Sequence, residues 1–148
     1  MALPDHTNRG GRQMDLTGRP VLTNARDALD KAERFADLSE QTPDEAFESV
    51  IHGAYFAMFH AARTALLAVQ GTASTDHARV GATCAQMAAK LNVDVLPSLL
   101  AKARDLHANA HRGYEDLTEQ GEALRARMRP FLALCTKLVE ERARAGSR

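Results

Sequence analysis

A basic side chain and two imidazoles recur at helical spacing within residues 99–117, LLAKARDLHANAHRGYEDL. With an advance of about 100° per residue, Arg104, His107 and His111 lie along one edge of the apolar stripe of a helix, while Asp105 points away. A guanidinium binds phosphate through a planar fork of donors, and an imidazole exchanges protons near neutral pH. Metal-free cleavage of RNA needs both kinds of group. The spacing is equally typical of a solvated arginine, a border histidine and a C-terminal capping histidine.

His107 and His111 also form an H-x-x-x-H pair, which places two imidazoles one helical turn apart, as a zinc site requires. The sequence fixes no third ligand. His52 and His60 lie on another predicted helix, and the chain has no Cys-x-x-Cys pair. We therefore expect neither a bound metal nor another cofactor.

The charge of the chain is unevenly distributed, although 19 basic residues balance 19 acidic ones. Residues 23–50 hold eight acidic and three basic side chains, whereas residues 122–148 hold seven basic and three acidic ones. The neutral total argues against a protein that binds nucleic acid or a membrane surface through bulk charge. The acidic and basic ends should lie near each other in a bundle or face a partner.

The elements that must position these groups are helices, because apolar residues recur every three or four positions from Thr23 onward. The pattern predicts an all-α domain over residues 21–145, an antiparallel up-and-down bundle of four to five helices. Thr42, Pro43 and Glu45 form an N-cap, a first-turn proline and a capping box for the second helix. Pro130 should kink or divide the last helix. The predicted helices span residues 24–38, 42–70, 76–90, 95–110 and 118 onward.

The second predicted helix is apolar almost all round, so other helices or a second subunit must cover it. Residues 1–20 are rich in glycine and proline and are predicted to form a flexible arm. The chain has neither a membrane-span pattern nor the apolar core of a signal peptide. Its two cysteines, Cys84 and Cys135, fall at apolar positions, as buried thiols of a reduced protein do. These features indicate a cytoplasmic protein.

Four segments of the chain match a family pattern: YFAMFHAAR at 55–63, Gly71, Asp76-His77 and RGYEDLT at 112–118. In these segments the sequence resembles the HEPN (higher eukaryote and prokaryote nucleotide-binding) domain family. The likeness covers about residues 23–143. It implies a helical bundle that is usually a homodimer and is often encoded beside a minimal nucleotidyltransferase in toxin and antitoxin pairs.

Many members of that family are metal-independent endoribonucleases that use an arginine, a polar residue and a histidine, with one such motif from each subunit meeting at the dimer cleft. The resemblance assigns these roles to Arg104, Asp105 and His111, with His107 assisting. Asp105, Arg112 and Tyr114 become candidate binding residues, and Tyr114 a candidate target for modification by a partner. The alternative is a non-catalytic module that binds a nucleotide or a nucleotidyltransferase subunit.

Overall fold

The computed structural model describes residues 21–91, 95–113 and 115–146 and confirms an all-α bundle. The predicted arm of residues 1–20 lies outside the described residues, and so does Tyr114. None of the helices in the described part of the chain is both long enough and apolar enough to cross a membrane. The five described helices are α1 (Val21–Gln41), α2 (Phe47–Gln70), α3 (His77–Leu91), α4 (Val95–Arg112) and α5 (Thr118–Gly146).

Helix α2 is the centre of the bundle, and 16 of its 24 residues are buried. It contacts each of the other four helices, most extensively α1 and α5. This environment explains why its sequence is apolar almost all round, since an unbroken apolar circumference must be covered on several sides. Helices of the same chain provide that cover, so α2 offers little surface to a second subunit.

The side-chain contacts establish how the helices run relative to α2. Helix α1 is antiparallel to it, because the Ser39 hydroxyl donates to the Val50 carbonyl at 2.8 Å near one end, while Ala25 and Leu67 share a cluster near the other. Helix α5 instead begins beside the start of α2, where Gly121 lies against Ile51. The two largest partners of α2 therefore run in opposite directions along it.

The fully buried residues that α1 presents to α2 are small. The buried residues among the described side chains of α1 are four alanines and Ser39. On the facing helix, a Cβ added at Gly53 would lie 3.0 Å from Ser39 Cβ and 3.2 Å from the Phe35 carbonyl oxygen. The two backbones approach each other closely here, so any side chain larger than that of glycine would push α1 away from α2.

The predicted start of α2 is wrong. The helix begins at Phe47, its N-cap position is Ala46, and no side chain caps it. Thr42 instead directly follows α1, and its hydroxyl donates to the Leu38 carbonyl of that helix at 2.7 Å. The guanidinium of Arg125 donates to the Thr42 carbonyl at 3.0 Å, which holds this turn through a contact from α5.

The acidic first helix and the basic last helix lie against each other, as their charges predict. Arg129 of α5 pairs with three carboxylates of α1: with Asp37 at 2.7 Å, with Glu40 at 2.6 Å and with Glu33. These hydrogen bonds and the neighbouring charges raise the pKa of Arg129 and lower that of Glu40. Helix α5 continues through Pro130, so the proline does not divide it.

Candidate functional site

A groove of about 500 Å³ lies between α3 and α4 and is bordered by α2. Small residues form much of its wall, which leaves space for a ligand between the two helices. Four titratable side chains line this α3–α4 groove: Tyr55, His77, Arg104 and Asp105. Arg104 and Asp105 are exposed on α4. Asp105 thus lines the groove together with Arg104 instead of pointing away from it as predicted.

The start of α3 fixes the position of His77, the first residue of that helix. Asp76 caps the helix, because its carboxylate accepts from the Arg79 backbone N–H at 3.0 Å. The preceding loop is tied to α2 by Arg63, whose Nε donates to the Ser74 carbonyl at 2.9 Å. These contacts bring the beginning of α3 against the middle of α2.

The imidazole of His77 is held on two sides. Its face stacks on Phe59, with ring centroids 4.0 Å apart and planes 4° apart. Its Nδ1 makes a hydrogen bond with the Tyr55 hydroxyl, which leaves Nε2 as the nitrogen for a ligand. Burial lowers the pKa of His77, the charge of Arg104 lowers it further, and Asp76 opposes both. The ring is therefore kept as a neutral imidazole near pH 7.

Tyr55 connects the groove to a second group of polar side chains. Its ring stacks on His107 with centroids 5.0 Å apart. Burial raises the pKa of Tyr55, while the charge of Arg104 acts in the opposite direction. The phenol consequently stays protonated at neutral pH and can donate or accept a hydrogen bond.

Three imidazoles meet where the second turn of α2 faces the last turns of α4; we call His52, His107 and His111 the histidine trio. His107 Nε2 lies 3.2 Å from His52 Nδ1 and 3.2 Å from His111 Nε2. One nitrogen from each ring lies within 4.8 Å of the others. Burial lowers the pKa of His52, and burial together with the neighbouring imidazoles lowers that of His107 to about 4.

The structure therefore separates the predicted site residues into three places. Arg104 and Asp105 line the α3–α4 groove, while His107 and His111 join His52. Arg112 lies apart from both, at the end of α4, where it donates to the Asn109 side chain at 3.1 Å.

His52, Tyr55 and His77 are the site residues that the pattern on α4 did not reveal. Tyr55 and His77 stand in two of the segments that carry the family resemblance, and that was the available signal. His52 had none, because periodicity on one helix does not show which face of another helix meets it. Only the packing of α2 against α4 brings it to His107.

A scan against models of protein families and a comparison with curated proteins both find no match for this chain.

Proposed function

We propose that the chain is a HEPN-like RNA-binding protein that cleaves RNA without a metal ion in the α3–α4 groove. The observation that carries the proposal is that Arg104 and His77 line one groove. An arginine and a neutral imidazole are the two groups that such cleavage needs, one for the phosphate and one for the proton. The resemblance in residues 55–63 supports the same class of protein.

In the proposed reaction, Arg104 binds the non-bridging oxygens of a phosphodiester and stabilises the extra negative charge of the transition state. His77 Nε2 takes the proton from the ribose 2′-hydroxyl as that oxygen attacks phosphorus. The bond from phosphorus to the 5′-oxygen breaks, and the departing oxygen receives the proton back from the imidazolium. The products are a 2′,3′-cyclic phosphate and a 5′-hydroxyl end, so atoms and charge balance.

This assignment places His77 in the role that the sequence pattern gave to His111. The groove supports the change, because His77 and Arg104 both line it, whereas the Nε2 of His111 contacts His107. Tyr55 acts as a positioning residue in this scheme. Its hydroxyl occupies His77 Nδ1 and so directs the other nitrogen of the ring to the substrate.

The test is cleavage of a labelled single-stranded RNA by the full chain in excess chelator. Wild-type protein should give cyclic phosphate ends, while Arg104→Met and His77→Asn should each lower the rate at least about 100-fold. Lys102→Met is the matched control, because Lys102 is an exposed cation on the same helix that lines a different cavity, between α4 and α5. Cleavage by Arg104→Met at the wild-type rate would overturn the proposal.

A second candidate is binding of a nucleotide or RNA phosphate without cleavage. The position of His107 and His111 favours this candidate. Their ring nitrogens contact each other and His52, so one imidazole, that of His77, lines the groove. In that case wild-type protein binds a fluorescent nucleotide but leaves RNA intact in the cleavage assay. Arg104→Met should then weaken the binding, and Lys102→Met should not.

The family resemblance adds an assembly to either candidate: a cytoplasmic homodimer that pairs with a minimal nucleotidyltransferase, as in toxin and antitoxin systems. Because α2 is covered within one chain, a dimer would have to use the outer faces of the other helices. Analytical ultracentrifugation of the purified chain tests this. A sedimenting species of 16.1 kDa at all concentrations would contradict the dimer.

A further inference from the structure

We propose that the histidine trio is a binding site for a divalent transition-metal ion, with Zn²⁺ as the best match. The site is separate from the residues assigned to RNA cleavage, and its test does not depend on that activity. His52 supplies the third ligand that the H-x-x-x-H pair lacks in the sequence. Two neighbouring turns of α4 and one turn of α2 together form the site.

The distances between the ring nitrogens suit such an ion. Ligand atoms placed about 2.0–2.1 Å from a tetrahedral Zn²⁺ are separated from one another by about 3.3–3.4 Å. Two of the separations within the trio, those from His107 Nε2 to the facing nitrogens of His52 and His111, are both 3.2 Å. The nitrogens offered by the three rings all lie within 4.8 Å. Small side-chain rotations would equalise the three.

Hydrogen bonding among the imidazoles accounts for the cluster less well. A ring nitrogen carries either one hydrogen or one in-plane lone pair, so it can make one good hydrogen bond along that direction. His107 Nε2 has two nitrogen neighbours at 3.2 Å, Nδ1 of His52 and Nε2 of His111, and can make a good hydrogen bond with only one of them. A single cation at the centre removes the conflict, because each ring then directs one lone pair to the same point.

Aromatic contacts hold two of the three rings in place before any ion binds. His52 packs against Phe56 with ring centroids 4.6 Å apart, and His107 stacks on Tyr55. Both histidines are half-buried, whereas His111 is exposed and opens the site to solvent. The protein thus offers three ligands and leaves the remaining coordination position to water or to another small ligand, in contrast to the closed four-ligand structural sites.

The ligand set also selects the class of ion. Three neutral imidazoles suit borderline cations such as Zn²⁺, Co²⁺, Ni²⁺ and Cu²⁺, whereas Mg²⁺ and Ca²⁺ require oxygen ligands. No carboxylate is part of the group identified within the described residues.

The test is titration of the untagged, metal-stripped full chain with Co²⁺, whose visible absorption reports tetrahedral coordination, followed by competition with Zn²⁺. One equivalent should bind. His111→Ala and His52→Phe should each weaken Co²⁺ binding at least about 100-fold. Substituting a residue that only hydrogen-bonds to a metal ligand typically costs less, about 10–100-fold. His52→Phe keeps an aromatic ring against Phe56, and His111 is exposed, so both variants should fold, as circular dichroism will show.

The matched control is His77→Asn, which removes a half-buried histidine outside the trio and should leave the affinity for Zn²⁺ unchanged. The proposal is overturned if the wild-type chain gives no tetrahedral Co²⁺ spectrum. It is equally overturned if His111→Ala and His52→Phe bind Zn²⁺ as tightly as the wild type, because the ion would then bind elsewhere.

Discussion

Phe59 and His77 stack face to face across the junction of α2 and α3, with ring planes only 4° apart. The contact joins a buried residue of the central helix to the first residue of α3. Because the Tyr55 hydroxyl is hydrogen-bonded to Nδ1 of His77, only Nε2 of this ring is available to a substrate. The orientation of the proposed proton carrier is thus set by the core rather than by a loop.

Tyr55→Phe tests that orientation with minimal change in volume. Removing the hydroxyl frees His77 Nδ1, so we expect cleavage of RNA to slow about tenfold through loss of alignment. The affinity for RNA should stay within about twofold, since Arg104 is unchanged. Rate against RNA concentration separates the two effects: a rise in KM with kcat unchanged would contradict a positioning role.

His60 should make the fold sensitive to acid. It is buried, its Nδ1 has no hydrogen-bond partner, and burial together with nearby Lys31 and Arg63 lowers its pKa from 6.5 to about 4. Above pH 6.5 the ring is neutral in both states. As the pH falls toward 4, the unfolded chain takes up the proton first, so stability is lost. Between pH 7.5 and 5 we expect a loss of about 2 kcal/mol from this residue alone.

The measurement is urea denaturation of wild-type protein and of His60→Leu at both pH values. On acidification, the free energy of unfolding of the variant should fall by about 2 kcal/mol less than that of the wild type, because leucine does not titrate. An identical pH dependence in both proteins would show that His60 is not buried as a neutral ring.

Arg129→Met should reduce the free energy of unfolding by about 1 kcal/mol at low salt, because three carboxylates of α1 lose their shared partner and repel one another. Arg127→Met is the matched control on the same helix and should change stability by less than about 0.5 kcal/mol. Thermal unfolding at low salt and in about 1 M NaCl checks the cause. Salt screens exposed charges, so the difference in stability between Arg129→Met and the wild type should be smaller at high salt. A salt-independent loss would indicate packing instead.

Gly53→Ala and Gly81→Ala should change stability in opposite directions. At Gly53 the new methyl group would lie 3.0 Å from Ser39 Cβ, so we expect a loss of about 1–3 kcal/mol as α1 is pushed away. At Gly81, within α3, an added Cβ would meet no neighbouring atom within 4 Å. Because alanine gives the unfolded chain less conformational freedom than glycine, the substitution should stabilise the protein by about 0.5–1 kcal/mol. Urea midpoints of the two variants decide. Equal effects would contradict the close contact.

Cys84 and Cys135 should not react with a thiol reagent while the protein is folded. Both are buried, and burial raises the pKa of Cys84 to about 11 and that of Cys135 further. The reactive thiolate is therefore both rare and covered. Ellman's reagent should label both thiols only after addition of denaturant. Rapid labelling of the native chain would show that the core opens locally.

The helices were predictable because their apolar spacing is local information. The start of α2 was not: Thr42, Pro43 and Glu45 have the residue types of an N-cap and capping box, yet Arg125 binds the backbone of that turn from 83 residues away. A tertiary contact of this kind overrides local preference and leaves no trace in the segment itself.

The candidate site was predictable only on one helix. The edge of α4 that bears Arg104, His107 and His111 follows from the helical repeat. Which of these residues share a site depends on how α2 and α3 pack against α4, and the single-helix pattern carries no such information. The packing places Arg104 in the groove with His77, and it places His107 and His111 beside His52.

The alanine-lined contact of α1 has a consequence for its conformational entropy. Alanine has no rotamers to lose on burial, whereas a leucine or methionine gives up about 0.5–2 kcal/mol when its side chain is fixed. The fully buried side chains of α1 therefore lose little entropy when the helix docks on α2, and the contact relies on the proximity of two backbones. The half-buried Phe35, which packs against Phe56 and His60, is the aromatic side chain that is ordered there. An interface of this type forms readily but leaves little freedom for the sequence to drift, since larger side chains along it would separate the helices.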